Sequence, residues 1–124
     1  MEHTGDDFKN RSIWERSGYA LNGILAGLNR EGSLRLELGV AVVAVVLLAW
    51  LRPPAVWWAI GVLMIAAVLA AELINSAIEA LADHLHPTLH REIRVVKDMA
   101  AGAILVLNAA ALIVLVLLLA TRLG

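Results

Sequence analysis

The segment from Met99 to Thr121, MAAGAILVLNAAALIVLVLLLAT, contains no charged residue over 23 positions. A helix needs roughly 20 mostly apolar residues to cross a hydrocarbon core of about 30 Å. This segment is therefore long enough to span a bilayer by itself. Because backbone polar groups in lipid must be satisfied within the segment, we expect it to be helical.

Two more apolar stretches precede this segment, and the pair Pro53-Pro54 separates them. Proline interrupts a helix, so we expect these two spans to form a hairpin with a very short turn. Neither stretch is long enough to span the bilayer by itself. Each reaches spanning length only when neighbouring residues are included, and for the second stretch these include carboxylates. We therefore predict three transmembrane helices, over residues 33–51, 55–85 and 94–121.

The composition excludes several classes of protein. Residues of the AVILMFWYC set make up 60% of the chain and charged residues 17%, whereas soluble domains average about 45–50% and about 25%. The chain has no cysteine, which excludes a disulfide framework and a thiolate metal site. Its 10 basic and 11 acidic residues create no basic field for nucleic acid. We expect one all-α membrane domain over residues 1–124.

Residues 8–30 form a different kind of segment, which is amphipathic. At helical spacing its apolar side chains fall within about 120° of arc, and polar side chains gather opposite them. The apolar set is Ile13, Trp14, Leu21, Ile24, Leu25 and Leu28. This pattern predicts a surface helix that lies on the membrane. A cytoplasmic cap packed on the bundle is the alternative.

The basic residues predict the orientation of the chain. Eight of them precede the first span or lie between the second and third: Lys9, Arg11, Arg16, Arg30, Arg35, Arg91, Arg94 and Lys97. Only Arg52 and Arg122 fall on the other side. By the positive-inside rule, the N-terminus is cytoplasmic and the C-terminus lies outside.

Four polar residues share one stripe of the second predicted span: Glu72, Asn75, Glu79 and Asp83. A carboxylate at the centre of a bilayer costs roughly 2.5–3.5 kcal/mol on insertion scales, so this stripe faces protein, water or a cation. Hydrogen-bonded contacts between helices could account for Asn75 alone. Two carboxylates on adjacent turns favour function, because like charges repel unless a cation or a proton intervenes.

Other charged groups are expected at the depth of this stripe. Glu31 and Glu37 lie where the surface helix leads into the first span, and Lys97-Asp98 opens the third. Oxygen ligands without cysteine favour a hard cation such as Mg²⁺. The sequence lacks the Glu-x-x-His motif of di-iron bundles and the phosphate-binding P-loop. His84, His86 and His90 are interpreted as loop residues rather than metal ligands.

These residues resemble a known family. The run Glu72 to Glu79 (ELINSAIE), with Asp83 and Lys97-Asp98-Met99, is similar to the small bacterial integral-membrane diacylglycerol kinases. Supporting matches are Gly18-Tyr19, Glu31, Arg35-Leu36-Glu37 and Trp50-Leu51. The resemblance implies a homotrimer in the bacterial inner membrane, with three spans and a surface helix per protomer and active sites shared between subunits. It also implies transfer of the ATP γ-phosphate, with Mg²⁺, to the primary hydroxyl of diacylglycerol.

The resemblance also assigns roles to individual residues. It implies that Glu72 is the general base, that Asn75 and Lys97 support catalysis, and that Glu31 and Glu79 bind the metal. The implied nucleotide-binding positions are Ser12, Arg16, Tyr19, Glu31, Glu79, His90, Lys97 and Asp98. One position departs from the family pattern, because Ser12 stands where the family carries an arginine; Arg11 or Arg16 could substitute.

Three other functions stay open at this stage. The segment from Lys97 to Ala103 also resembles undecaprenol kinases, so the lipid substrate is diacylglycerol or undecaprenol. A small transporter could use Glu72 and Glu79 as proton sites, and ATP turnover that depends on added lipid alcohol would exclude it. A purely structural bundle predicts that Glu72→Gln leaves every activity unaffected.

Overall fold

A computed structural model describes residues 12–88 and 90–124, which form four helices and no strand. The helices are α1 (Ile13–Arg30), α2 (Gly32–Leu51), α3 (Ala55–Leu85) and α4 (Arg91–Leu123). By length and composition, α2, α3 and α4 can each span a membrane. The predicted all-helical fold with three spans is confirmed. Residues 8–11 of the predicted surface helix, with Lys9 and Arg11, lie outside the described residues.

The helices α3 and α4 are longer than the membrane requires. At 1.5 Å per residue, the 31 residues of α3 and the 33 of α4 extend about 46 and about 50 Å. A hydrocarbon core of about 30 Å leaves several turns of each helix beyond it. Because α4 begins at Arg91, the residues from Arg91 to Asp98 belong to such an extension. Charged side chains on these turns can therefore reach water.

The first helix begins and ends with local hydrogen bonds. The Ser12 hydroxyl accepts a hydrogen bond from the Glu15 backbone N–H at 3.3 Å and caps the N-terminus. At the other end Arg35 Nη1 donates to the carbonyls of Leu28 (2.6 Å) and Asn29 (3.3 Å). Arg35 belongs to α2, so this contact ties α1 to α2. The apolar face of α1 is exposed, with Trp14 84% accessible, as a helix lying on lipid would be.

The turn between α2 and α3 follows from Pro53-Pro54. Arg52 adopts a left-handed conformation (φ 50°) that ends α2, and α3 begins at Ala55. Arg122, near the end of α4, donates hydrogen bonds to the carbonyls of Leu51 (2.9 and 3.3 Å) and Arg52 (3.0 Å). This end of the hairpin is therefore joined to α4.

The helix α3 is central and packs against each of the other three helices. A small apolar cluster of Leu48, Leu51 and Leu118 joins the helices near the Pro53-Pro54 turn. Elsewhere α2 and α4 diverge and leave an apolar groove of about 340 Å³ over the face of α3. Most large apolar side chains of the described residues are exposed, which leaves them available to lipid or to other chains.

Candidate active site

Glu72 is the one buried charged residue in the described part of the chain, with 5% of its surface accessible. It lies on α3, where residues from the junction of α1 and α2 approach it. Ser33 approaches its carboxylate, and the charges of Glu37, Glu79 and Glu31 act on it. The structure therefore groups the predicted base with three other carboxylates that the sequence had singled out.

Asn75 and Glu79 lie one helical turn apart on the same face of α3. The Asn75 Nδ2 atom donates a hydrogen bond of 3.4 Å to Glu79 Oε1. The Asn75 Oδ1 atom is buried and has no hydrogen-bond partner in the protein. Leaving a buried acceptor unpaired costs roughly 1–3 kcal/mol. Such an oxygen beside a carboxylate is suited to a ligand that brings a donor or a cation.

A polar cleft of about 500 Å³ lies between the ends of α3 and α4 and the loop that joins them. Its lining combines residues from all three segments: Glu79, Asp83, His86, Thr88, His90, Arg94, Lys97 and Asp98. Four of the predicted nucleotide-binding residues, Glu79, His90, Lys97 and Asp98, thus line one cleft. Its volume is within the range of about 300–1,000 Å³ that small-molecule sites occupy.

Ion pairs and ring contacts order the cleft. Lys97 Nζ lies 2.5 Å from Asp83 Oδ1 and joins α4 to α3. Arg94 Nε lies 3.5 Å from Asp98 Oδ1, one turn along the same helix. His90 caps α4, because its Nδ1 atom accepts a hydrogen bond of 3.2 Å from the Glu92 backbone N–H. The cleft therefore holds two cations, each paired with a carboxylate, and a third carboxylate in Glu79.

The imidazole rings of His86 and His90 lie with their centroids 5.1 Å apart. The contact orders the loop between α3 and α4 on one side of the cleft. His90 is engaged as a helix cap and as a ring partner, and neither contact involves a metal. His86 and His90 flank the loop as the C-cap of α3 and the N-cap of α4, whereas His84, interpreted from the sequence as a loop residue, lies in the last turn of α3.

Some predicted site residues lie apart from the cleft. Ser12 serves as the N-cap of α1, and Arg16 and Tyr19 are exposed on the same helix. None of the three lines the cleft between α3 and α4. Within this chain, α1 does not contribute to the cleft.

The donor chemistry fits Mg²⁺, although one chain does not enclose it. Within residues 12–88 and 90–124, no three histidine, aspartate or glutamate side chains converge on a common point that could hold a metal. Mg²⁺ is usually bound through one or two carboxylates, with phosphates and waters completing its shell. The carboxylates of Glu31 and Glu79 and the unpaired Asn75 Oδ1 are oxygen donors of the right kind. They would hold the ion together with a polyphosphate.

Ser33 and Asn108 lie near the site although no pattern in the sequence was interpreted as indicating them. Ser33 approaches Glu72, and Asn108 Nδ2 on α4 donates a hydrogen bond of 3.4 Å to Glu37 Oε1 on α2. Asn108 carries the one hydrogen-bonding side chain between Asp98 and Thr121. A polar residue inside an apolar span could have been recognised, because such residues usually face the bundle interior.

Three spanning helices with a buried carboxylate beside a polar cleft define an integral membrane protein with a site where the apolar spans meet water. Comparison with known proteins gives the family. The model of the prokaryotic diacylglycerol kinase family matches residues 18–119, and the chain belongs to this family. The diacylglycerol kinases of Escherichia coli and Shigella flexneri are 34% identical to it over 113 residues, which cover 90% of this chain and 92% of each relative. The protein is therefore a lipid kinase.

Proposed function

We propose that this lipid kinase transfers the γ-phosphate of ATP to the primary hydroxyl of diacylglycerol and forms phosphatidic acid. The observation that carries the proposal is the buried carboxylate of Glu72, which adjoins both apolar helix surface and the polar stripe that leads to the cleft. In this proposal a lipid hydroxyl reaches the largely covered carboxylate of Glu72 from the bilayer, while a nucleotide occupies the water-facing cleft. The two relatives named above carry the same activity in their names.

The cleft supplies the contacts that a nucleotide requires. Lys97 and Arg94 offset the charge of a polyphosphate, and the ammonium of Lys97 keeps two donors beyond its pairing with Asp83. The ring pair of His86 and His90 offers a flat surface next to these cations. Phosphoryl transfer depends mainly on positioning and on charge neutralisation, so this arrangement suits it.

In this proposal Glu72 accepts the proton of the lipid hydroxyl as that oxygen bonds to the γ-phosphorus. The bond between the γ-phosphorus and the β,γ-bridging oxygen breaks, and ADP leaves. The burial of Glu72 keeps water away from the reacting hydroxyl, and Ser33 adjoins its carboxylate. Glu31 and Glu79 would hold Mg²⁺, which neutralises charge on the phosphate oxygens when bound. Asn75 fixes Glu79 through its amide nitrogen and offers its unpaired oxygen to the same ligand.

We also propose that three copies of the chain assemble and share their sites. One chain does not gather a three-ligand metal group among its described residues, and Arg16 and Tyr19 lie outside its cleft. A neighbouring copy could bring them there, and its helices could also cover part of the exposed apolar surface. The chain lacks cysteine. Single introduced cysteines can therefore test assembly by crosslinking, and accessibility to a membrane-impermeant reagent can test whether the N-terminus is cytoplasmic.

Label transfer from γ-labelled ATP tests the proposed function. Purified protein in mixed micelles is offered dioleoylglycerol and undecaprenol in parallel, with and without a Mg²⁺ chelator. Glu72→Gln keeps the shape of the side chain and removes the base, and Glu92→Gln makes the same change at an exposed position outside the cleft. We expect label in phosphatidic acid that Glu72→Gln lowers by about 10²–10⁴-fold and that Glu92→Gln retains.

Each other outcome points to a different function. Label in undecaprenyl phosphate alone would keep the mechanism and change the substrate. Label in neither lipid would contradict the lipid-kinase proposal, and proton-coupled transport through Glu72 and Glu79 would be tested next. Full activity of Glu72→Gln would show that the buried carboxylate is structural.

A further inference from the structure

Asn108 makes a specific contact across the bundle. Its side chain is half-buried on α4, and its Nδ2 atom donates a hydrogen bond of 3.4 Å to Glu37 Oε1 on α2. The flanking residues of α4 from Met99 to Ala120 otherwise carry no hydrogen-bonding side chain. An amide in such a segment is costly to leave unpaired, so its partner is informative.

The Asn108–Glu37 contact lies where α2 and α4 would otherwise be separated. The apolar groove over α3 is lined by Val40, Ala41 and Ala44 from α2 and by Ala111, Leu112 and Leu115 from α4. Glu37 and Asn108 line the same groove, at the end away from the Pro53-Pro54 turn. The groove is therefore apolar along its length and polar at the end that approaches Glu72.

Glu37 is electrostatically connected to the proposed base. Glu37 is one of three carboxylates, with Glu79 and Glu31, whose charges act on Glu72. Coulomb interactions grow as the dielectric constant falls, so the position of a charge matters most within the membrane. A glutamate has several rotamers, and a fixed donor limits them. The contact that holds Glu37 in place therefore fixes one of the charges that act on Glu72.

We propose that Asn108 is a positioning residue for phosphoryl transfer. Its amide holds the Glu37 carboxylate at the polar end of the groove, and through Glu37 it sets the electrostatic environment of Glu72 while the lipid hydroxyl reacts. The inference rests on the proposed lipid-kinase mechanism and adds a residue from α4 to it. Asn108 acts through Glu37 and does not itself contact the reacting atoms.

A double-mutant cycle tests this inference. Asn108→Leu removes the amide at nearly constant volume, Asn108→Gln keeps an amide, and Glu37→Gln removes the charge on which Asn108 acts. Val106→Leu is the control, because Val106 is exposed on α4 two residues away and lines neither the groove nor the cleft. The quantities measured are kcat, the KM for ATP, the KM for the lipid and the Tm of each variant.

We expect Asn108→Leu to lower kcat roughly three- to tenfold, which corresponds to one hydrogen bond between membrane helices. The KM for ATP should stay unchanged, because the pair lies outside the nucleotide cleft. Asn108→Gln should recover part of the loss. In the Glu37→Gln background, Asn108→Leu should have little further effect, since the two residues act as a unit.

Three results would overturn the inference. A fall in Tm with kcat per folded protein unchanged would show that Asn108 only joins the helices. Equal losses of kcat with and without Glu37 would show that Asn108 acts by another route. An equal loss in Val106→Leu would show a general sensitivity of α4. Failure of the proposed function is distinguishable, because the unsubstituted protein would then phosphorylate no lipid alcohol.

Discussion

Lys97 on α4 donates a hydrogen bond to Asp83 on α3, with 2.5 Å between Nζ and Oδ1. The two residues are 14 positions apart and stand on either side of the loop that carries His86 and His90. Both side chains keep contact with water, since 33% of the Lys97 side chain and 64% of the Asp83 side chain are accessible. The pair therefore fixes the direction of the lysine more than it stabilises the fold.

The Lys97–Asp83 pair predicts a selective effect on nucleotide use. Lys97→Met removes a cation from the cleft and should lower kcat/KM for ATP about 10- to 100-fold, which corresponds to about 1.4–2.7 kcal/mol and is close to the value of a hydrogen bond to a charged group. Asp83→Asn should raise the KM for ATP by a smaller factor than Lys97→Met does. It should change the free energy of unfolding by less than about 1 kcal/mol, because exposed ion pairs contribute little. Initial rates at varied ATP concentration measure both effects.

The KM for the lipid alcohol, measured in the same preparations, is the internal control for Lys97→Met. Arg91→Met is the matched removal of a positive charge at an exposed position outside the cleft. If the KM for lipid rose in parallel with the KM for ATP, Lys97 would be holding the helices rather than the nucleotide.

The fold could be predicted from the sequence because membrane insertion depends on local properties. The run from Met99 to Thr121 and the pair Pro53-Pro54 are sufficient for three helices and a tight hairpin. Their ends were less predictable: α4 begins at Arg91 rather than at 94, since His90 caps a helix whose first two turns are charged. Hydropathy locates the part of a helix in lipid and says little about its extension into water.

The depth of the charged groups beside the spans could be predicted, as for Glu31, Glu37 and Lys97, whereas the contacts between side chains could be predicted only within one helix. The stripe of Glu72, Asn75 and Glu79 follows from helical periodicity. The approach of Glu37 to Asn108, 71 residues apart, depends on how α2 and α4 pack around α3, and no local pattern encodes that. Ser12 shows the opposite case, because it suits helix capping as well as ligand binding and the structure places it at the N-cap.

Substitution of Asn75 is expected to affect stability and activity in different ways. Its buried Oδ1 has no partner, so Asn75→Leu removes an unsatisfied acceptor together with one hydrogen bond to Glu79. We expect the Tm without ligand to stay equal or to rise, because removing an unpaired buried polar group relieves a cost of roughly 1–3 kcal/mol. Activity should fall more than about tenfold, and more Mg²⁺ should be needed for half-maximal activity, as one metal-adjacent oxygen is lost.

Differential scanning fluorimetry and rate measurements at varied Mg²⁺ test the Asn75 variant. Ser76→Ala is the matched control on the next residue of α3, which lines neither cleft nor groove. A lower Tm in Asn75→Leu, with unchanged Mg²⁺ dependence, would mean that Asn75 is structural and that its oxygen finds a partner within the assembled protein.

Gly27 allows α1 to approach α3 closely. A Cβ atom added at Gly27 would lie 2.8 Å from Leu73 Cδ2 and 3.0 Å from Leu34 Cδ2, whereas one at Gly23 meets nothing within 4 Å. Leu73 adjoins Glu72, so a larger residue at position 27 moves the surface helix away from the buried base. Gly27→Leu should lower stability by about 1–3 kcal/mol through overpacking and should lower the rate of lipid phosphorylation.

Gly23→Leu is the matched control for this change. Both substitutions gain the same helix propensity, so the difference between them isolates the packing of α1 against α3. The rates are measured at saturating ATP and expressed per folded protein. Equal behaviour of the two variants would contradict a requirement for close approach at Gly27.

Substitution of Arg122 is expected to lower the stability of the protein without lowering its catalytic rate. Its guanidinium donates to the carbonyls of Leu51 and Arg52, which end α2 and have no partner within that helix. The positive charge also lies at the negative end of the α2 dipole. Arg122→Leu should therefore lower the free energy of unfolding by about 1–3 kcal/mol. Arg122→Lys should lose only part of this stabilisation, since a lysine keeps the positive charge but lacks the planar set of donors of a guanidinium.

Catalysis should survive in the Arg122 variants because the contact is far from the site. Glu37 and Leu51 are 14 residues apart on one helix, which corresponds to about 21 Å along α2. Thermal unfolding measures the first expectation, and kcat below the unfolding transition measures the second. A fall in kcat at full folding would mean that the hairpin end and the site are coupled through α2, and an unchanged Tm would mean that the carbonyls of Leu51 and Arg52 find other donors.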